Sequence, residues 1–222
     1  MRQPSLFLLK LPEKGWTKNA VLFPVQARGR GVILATCAHT VNHIEGQYNL
    51  IICDTDGNEL PEGPPIKTML LPPELGADLA LMEVQMDQVP SLVKFSTDPI
   101  QKDTTLFHAR NVMRKPGFEG QNFVVTEQKS SVLPRSYACI MNHYHEKAEL
   151  ARQGVSKIPC PQGALAMRSW PGVSGSPIWN QHGRTIGMVC GGNEELTETN
   201  PEFFMVFLPA EMIKKALAQF LR

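Results

Sequence analysis

A serine hydroxyl attacks a carbonyl only when a base takes its proton and hydrogen-bond donors wait for the oxyanion that forms. The stretch Gly172-Val173-Ser174-Gly175-Ser176-Pro177 has the residues for such a turn. The base must be a neutral imidazole, oriented by a carboxylate. Of the six histidines, His39 alone has a suggestive frame, Ala35-Thr36-Cys37-Ala38-His39-Thr40-Val41, just past the apolar run that starts at Gly31. A carboxylate candidate follows at Gly76-Ala77-Asp78-Leu79-Ala80-Leu81, directly before another apolar run. Each signal has a plainer reading. Gly-x-Ser-Gly is ordinary loop composition, a histidine can end a strand, and an aspartate can start one. Asp54 and Asp56 sit in Asp54-Thr55-Asp56-Gly57, a hairpin turn by composition, and are poorer candidates. That turn lacks the remaining acidic ligands of a calcium loop.

The elements that would hold these residues read as short strands between Gly, Pro and Asp turns. Val, Ile, Leu and Phe recur in Ala20–Val25, Gly31–Thr36, Tyr48–Cys53, Thr68–Leu71 and Leu79–Val84. A second group comprises Thr105–His108, Phe123–Thr126, Tyr137–Met141, Ala164–Arg168, Pro177–Trp179, Thr185–Cys190 and Phe203–Leu208. This is the pattern of an all-β sandwich or barrel. The prolines of Leu60–Pro65 are punctuation, and the region Pro99–Asp103 is a boundary between two halves, residues 1–100 and 101–208. Residues 209–222 predict a helix. Pro209 suits its first turn, and Met212, Ile213, Ala216, Leu217, Phe220 and Leu221 recur at helical period. The polar segment Asn142–Pro161 reads as a long loop with a short helix at Glu146–Gln153. His143, His145 and Cys139 in and beside it fix no tetrahedral site, so no metal is expected. No cofactor is called for either.

Composition removes several function classes. In a chain of 222 residues with net charge +1, nothing points to a basic surface for nucleic acid. No apolar run is long enough for a bilayer, and Leu6–Leu9 lacks the flanks of a signal peptide. Five scattered cysteines, an odd number without a Cys-x-x-Cys pair, fit reduced thiols in the cytoplasm.

Taken together, Ala-Thr-Cys-Ala-His39-Thr-Val, Ala-Asp78-Leu-Ala-Leu and Gly-Val-Ser174-Gly-Ser-Pro resemble the three motifs of the trypsin-like (chymotrypsin-fold) serine proteases, in the order His, Asp, Ser. The disulfide-free HtrA/Deg branch is the nearest pattern, and the resemblance covers the chain from about Ala20 to the last helix. It implies two antiparallel Greek-key β-barrels with the site in the cleft between them. It implies Ser174 as nucleophile, His39 as base and then acid, and Asp78 as orienter. The N–H groups of Gly172 and Ser174 would form the oxyanion hole, where one donor is worth about 3 kcal/mol of transition-state stabilisation. Ser176 matches the motif's second small residue and not the nucleophile. The order of residues disfavours an α/β-hydrolase, whose elbow is Gly-x-Ser-x-Gly and whose histidine comes last.

The departures from the secreted pattern matter. Val173 stands where the secreted enzymes carry the aspartate that captures a new N-terminus. Thr40 stands where they carry a cysteine after the histidine. The resemblance thus implies an intracellular enzyme whose oxyanion loop is ordered by some other means. No PDZ domain follows Leu221, which implies a regulatory partner or a regulatory domain outside this chain. The residue six before the nucleophile, Arg168, would lie at the base of the primary pocket, with Ser169, Val189, Cys190, Gly191 and Gly192 in its walls. Arg168 offers an acidic side chain a partner. It can equally face solvent or pair with Glu194 or Glu195. The expected function is a serine endopeptidase acting on a protein or peptide. The competing expectation is a catalytically silent binding or scaffold module of the same fold.

Overall fold

The computed structural model describes residues 4–13, 16–41, 51–60, 67–71, 77–96, 98–113, 115, 117, 119–134, 162–193 and 202–222. It is mostly β, with two curled antiparallel sheets and one C-terminal helix.

The first sheet contains β1 (Phe7–Glu13), β2 (Trp16–Arg28), β3 (Gly31–Thr36), β4 (Ile51–Cys53), β5 (Lys67–Leu70) and β6 (Ala80–Gln85), in the order β4-β1-β2-β3-β6-β5. The run β4-β1-β2-β3 is a Greek key, with the fourth strand returning beside the first. The second sheet contains β7 (Lys94–Phe95), β8 (Thr104–Asn111), β9 (Phe123–Ser130), β10 (Val132–Leu133), β11 (Gly163–Leu165), β12 (Pro177–Asn180), β13 (Arg184–Gly192) and β14 (Met205–Pro209). Its order is β10-β11-β14-β13-β12-β8-β9, with β7 pairing parallel to β13 at the side. Here β11 lies beside β14, so this sheet too closes a four-strand key, β11-β14-β13-β12.

Strands β3, β12 and β14 carry apolar runs because each of their faces meets a different core. On β3, Ile33 and Ala35 face a central cluster, while Val32 and Leu34 face one built by the first sheet alone. The alternation repeats in the second sheet. Phe107, Trp179, Met188 and Leu208 enter the central cluster; Leu106, Ile178, Val189 and Phe207 enter one built by the second sheet alone. Period two thus sorts side chains into three layers. The central cluster glues the two sheets together and receives helix α1 (Ala210–Phe220) through Ile213, Ala216, Leu217 and Phe220. Lys67 of β5 closes the helix end. Its Nζ donates to the Phe220 carbonyl at 2.8 Å and lies 4.4 Å from the centre of the Phe220 ring.

Several expectations differ in extent. Strand β1 is an addition: its apolar start, Phe7, Leu8 and Leu9, does not read as a strand from sequence, yet it pairs with both β2 and β4. The two-residue strands β7 and β10 are also additional. Strand β11 stops at Leu165 because the chain turns there, with Met167 N donating to the Leu165 carbonyl at 2.8 Å. The predicted strand Tyr137–Met141, the helix Glu146–Gln153, and His143, His145, Cys139 and Cys160 lie outside the described residues. So do positions 48–50 of the strand predicted at Tyr48–Cys53.

Candidate active site

His39 sits on a single 3₁₀ turn, Ala38–Thr40, that begins where β3 ends. The carbonyl of Cys37 closes the turn, accepting from Thr40 N at 3.3 Å and Thr40 Oγ1 at 2.6 Å. Asp78 lies two residues before β6, the neighbour of β3, so pairing of the two strands brings the two side chains together. Asp78 is 3 % exposed, and both of its carboxylate oxygens meet His39. Oδ1 accepts the His39 backbone N–H at 2.9 Å, and Oδ2 meets Nδ1 at 2.6 Å. This pairing fixes both the ring plane and the tautomer, with the proton on Nδ1. The other ring nitrogen, Nε2, then presents its lone pair, 3.2 Å from Ser174 Oγ. The three residues chosen from sequence therefore meet in one chain of hydrogen bonds that spans both sheets.

The Ser174 side is made of turns. Val173 N donates to the Trp170 carbonyl at 3.3 Å, and Ser176 N donates to the Val173 carbonyl at 2.9 Å, giving two successive four-residue turns. Gly172 and Gly175 hold the third position of each, with φ of 90° and 80°. These are the requirements of type II turns, and Pro171 suits the second position of the first. Neither glycine can be replaced without movement. A Cβ on Gly172 would stand 2.2 Å from the Asn111 carbonyl oxygen, and one on Gly175 would stand 2.1 Å from that of Val21. Main-chain bonds tie the turns to both sheets. Val21 N donates to the Ser174 carbonyl at 2.9 Å, and Asn111 N donates to the Gly172 carbonyl at 2.8 Å. Among the described residues, no backbone carbonyl takes the N–H groups of Gly172 and Ser174.

The rival hydroxyl of Ser176 is fully buried. It accepts from Ala109 N at 2.7 Å and donates to the Pro177 carbonyl at 3.0 Å, so it is a packing group. Cys37 does more than its small size suggests. Its sulfur accepts from Gly175 N at 3.1 Å and donates to the Val189 carbonyl at 3.0 Å, bridging the histidine turn to the serine turn. Burial pushes this thiol well above its ordinary pKa, which keeps the S–H donor in place. Cys37, His39 and Asp78 place sulfur, nitrogen and oxygen within 4.8 Å of one another. Those atoms already satisfy one another and their neighbours by hydrogen bonds, and the set reads as a hydrogen-bonded site and not as a cation cage.

The residues expected around a specificity pocket are also near one another. Ser169 N donates to the Asn193 carbonyl at 3.1 Å, and a Cβ on Gly192 would stand 2.6 Å from Ser169 Cβ. Val189 is buried in the core of the second sheet, while Cys190, Gly191 and Gly192 are half-buried. Arg168 is exposed. Its guanidinium lies 5.4 Å from the Trp170 ring and 5.2 Å from that of Phe203. Gln128 holds the backbone of Arg168 on both sides, accepting from its N–H at 2.9 Å and donating to its carbonyl at 3.0 Å. Nothing near Gln128 in sequence signals this. Gln128 also meets His108 Nε2 at 3.0 Å. Burial holds the pKa of His108 down to about 4, and the neighbouring Arg110 charge adds to the effect. Glu194 and Glu195 lie outside the described residues.

Solved structures of several proteases share this shape. The Rv3671c protease of M. tuberculosis, in an active form, superposes with a TM-score of 0.61 at 18% identity, over 97% of this chain and 80% of that one. The serine endoprotease of Yersinia pestis gives 0.60 at 14% identity, over 97% and 62%. A human pathogenic astrovirus serine protease gives 0.51 at 16% identity, over 93% and 91%. No protein-family model matches the chain, and no curated protein matches it in sequence. Likeness at this identity is likeness of fold: the chain has the two-barrel fold of the trypsin-like serine proteases. The comparisons reach across bacterial and viral proteins and do not single out the HtrA/Deg branch. Among the described residues, no helix is long and apolar enough to cross a membrane.

Proposed function

We propose that this protein is a serine endopeptidase that cleaves peptide bonds through an acyl-enzyme. The observation that carries the reading is the continuous path from Asp78 Oδ2 through His39 to Ser174 Oγ, at 2.6 Å and 3.2 Å. His39 takes the Ser174 proton on Nε2 as Oγ attacks the carbonyl carbon. Asp78 stabilises the imidazolium that results. The N–H groups of Gly172 and Ser174 receive the oxyanion, and His39 then gives its proton to the leaving amine. Water repeats the sequence to release the acyl group.

Arg168, Ser169 and the stretch Val189–Gly192 form the substrate pocket in this reading. Arg168 is exposed beside the Trp170 and Phe203 rings, 5.4 Å and 5.2 Å from their centres, and a guanidinium offers a carboxylate two parallel N–H donors. The reading therefore includes a preference for an acidic side chain. An intracellular setting is part of it too, supported by Cys37 and Cys190, which carry no disulfide.

One experiment tests the proposal. Purified protein is treated with a fluorophosphonate probe and, in parallel, with a positional peptide library. Labelling that is lost in Ser174→Ala, and cleavage after Asp or Glu, are expected. No labelling of the wild type, with or without added partners, would identify a silent scaffold. Cleavage after Arg, Lys or large apolar residues would remove the acidic preference and keep the enzyme.

A further inference from the structure

Val173 carries no charge, so the turn before Ser174 is not ordered by an ion pair of its own. Lys115 stands beside it. This half-buried lysine is placed by the turn that follows β8, where its N–H donates to the Val112 carbonyl at 2.9 Å. Its Nζ donates to the Pro171 carbonyl at 2.8 Å. We propose that Lys115 is a positioning residue that fixes the direction of the Pro171–Gly172 peptide and so assembles the oxyanion hole.

The argument rests on peptide geometry. The chain has no cis peptide bond among the described residues, so the Pro171 carbonyl and the Gly172 N–H point in opposite directions within one peptide plane. A cation gripping the carbonyl sets the N–H the other way. This peptide is the central one of the turn from Trp170 to Val173. Types I and II of a β-turn differ by reversal of that peptide, and glycine at the third position accepts either. The turn therefore has two accessible states. Gly172 at φ 90° is in the type II state. Asn111 N holds the next carbonyl, that of Gly172, at 2.8 Å, which leaves the Pro171–Gly172 peptide as the element free to reverse. Lys115 makes a charge-assisted bond to only one of the two states. The same bond polarises the peptide and strengthens Gly172 N–H as a donor. Gly172 is also tight against the lysine: a Cβ there would lie 3.3 Å from Nζ.

The inference rests on the hydrolytic reading above, and its test separates the two. Lys115→Met keeps the length of the side chain and removes the donor. Its kcat should fall about tenfold to a hundredfold with KM nearly unchanged, a loss approaching that of one oxyanion donor. Affinity for a peptide boronate, which places an oxygen in the hole, should fall in proportion, with the melting temperature unmoved. Lys115→Arg, which keeps a donor, should recover most of the loss. A Lys115→Met variant within about threefold of wild type in kcat, or Met and Arg variants that lose alike, would overturn the assignment. The crystal structure of Lys115→Met supplies a readout that needs no turnover. A reversed Pro171 carbonyl supports the proposal, and an unchanged one refutes it, even if the wild type neither cleaves nor labels and the protease reading is lost.

Discussion

The two halves of the molecule hold the residues of the proposed triad by different means. The first sheet holds His39 with one buried carboxylate, which takes both a ring nitrogen and the backbone N–H of the same residue. The second holds Ser174 between two glycine turns whose peptides are tied to Val21 and Asn111. Orientation of His39 is thus concentrated in one side chain. Orientation of Ser174 is spread over backbone geometry. The comparison teaches where each half is vulnerable: the first to a change of chemistry at one atom, the second to a change of shape.

The largest effect should come from the first half. Asp78→Asn keeps the shape but offers an N–H₂ group to one of two donors, so His39 settles in the wrong tautomer. We predict a fall in kcat of about 10⁴-fold with little change in melting temperature, measured by steady-state kinetics and thermal unfolding. Loss of stability without loss of rate would break the comparison.

Gly175→Ala should do the reverse. The added methyl group meets Val21 O at 2.1 Å and Thr36 Oγ1 at 2.3 Å, on a residue at φ 80°. Left-handed strain and overpacking together should cost roughly 3 kcal/mol in urea unfolding. Activity lost at full stability would mean that the turn yields more easily than its contacts indicate.

A smaller effect should place acid lability in the second half. His108 is buried and neutral, with its pKa held down to about 4 from 6.5. The unfolded chain takes up a proton as pH falls through about 6.5, and the folded chain does not until about 4. Stability is therefore complete above about pH 6.5 and is lost as pH falls toward 4. Between about pH 7 and pH 4.5 the wild type should lose about 2 kcal/mol that His108→Gln does not lose. Equal losses in the two proteins would remove His108 as the cause.

How far the sequence can be read follows from the range of the interactions. Strand β3 is legible to the residue because its signal is local: six apolar or small residues from Gly31 to Thr36. The path from Asp78 through His39 to Ser174 is legible because each member sits in a short local frame and the three frames come in order. Strand β1 is not, since Pro12 interrupts the pattern that begins at Phe7. The structure tolerates that proline because β4 pairs only with Leu8, Leu9 and Lys10, and Pro12 lies beyond them. The apolar run of strand β2 marks Ala20–Val25, but the strand extends from Trp16 to Arg28, passing Pro24 by a shift of register before Gln26. The roles of Cys37, Gln128 and Lys115 have no local sign. Cys37 meets Val189 152 positions away, and Gln128 meets Arg168 40 positions away. The contacts just named end on backbone atoms, which every residue has, so composition cannot mark them.

Helix α1 has a consequence for how the molecule comes to exist. The central cluster runs from Leu6 to Phe220 in the chain and needs Ile213, Ala216, Leu217 and Phe220 to be complete. Lys67, far earlier, waits for the Phe220 carbonyl. During synthesis the half that carries His39 and Asp78 emerges first, yet the layer that seats it against Ser174 cannot close until this helix has left the ribosome. Long-range closure of this kind is slow. A nascent chain therefore holds His39, Asp78 and Ser174 well before it can align them.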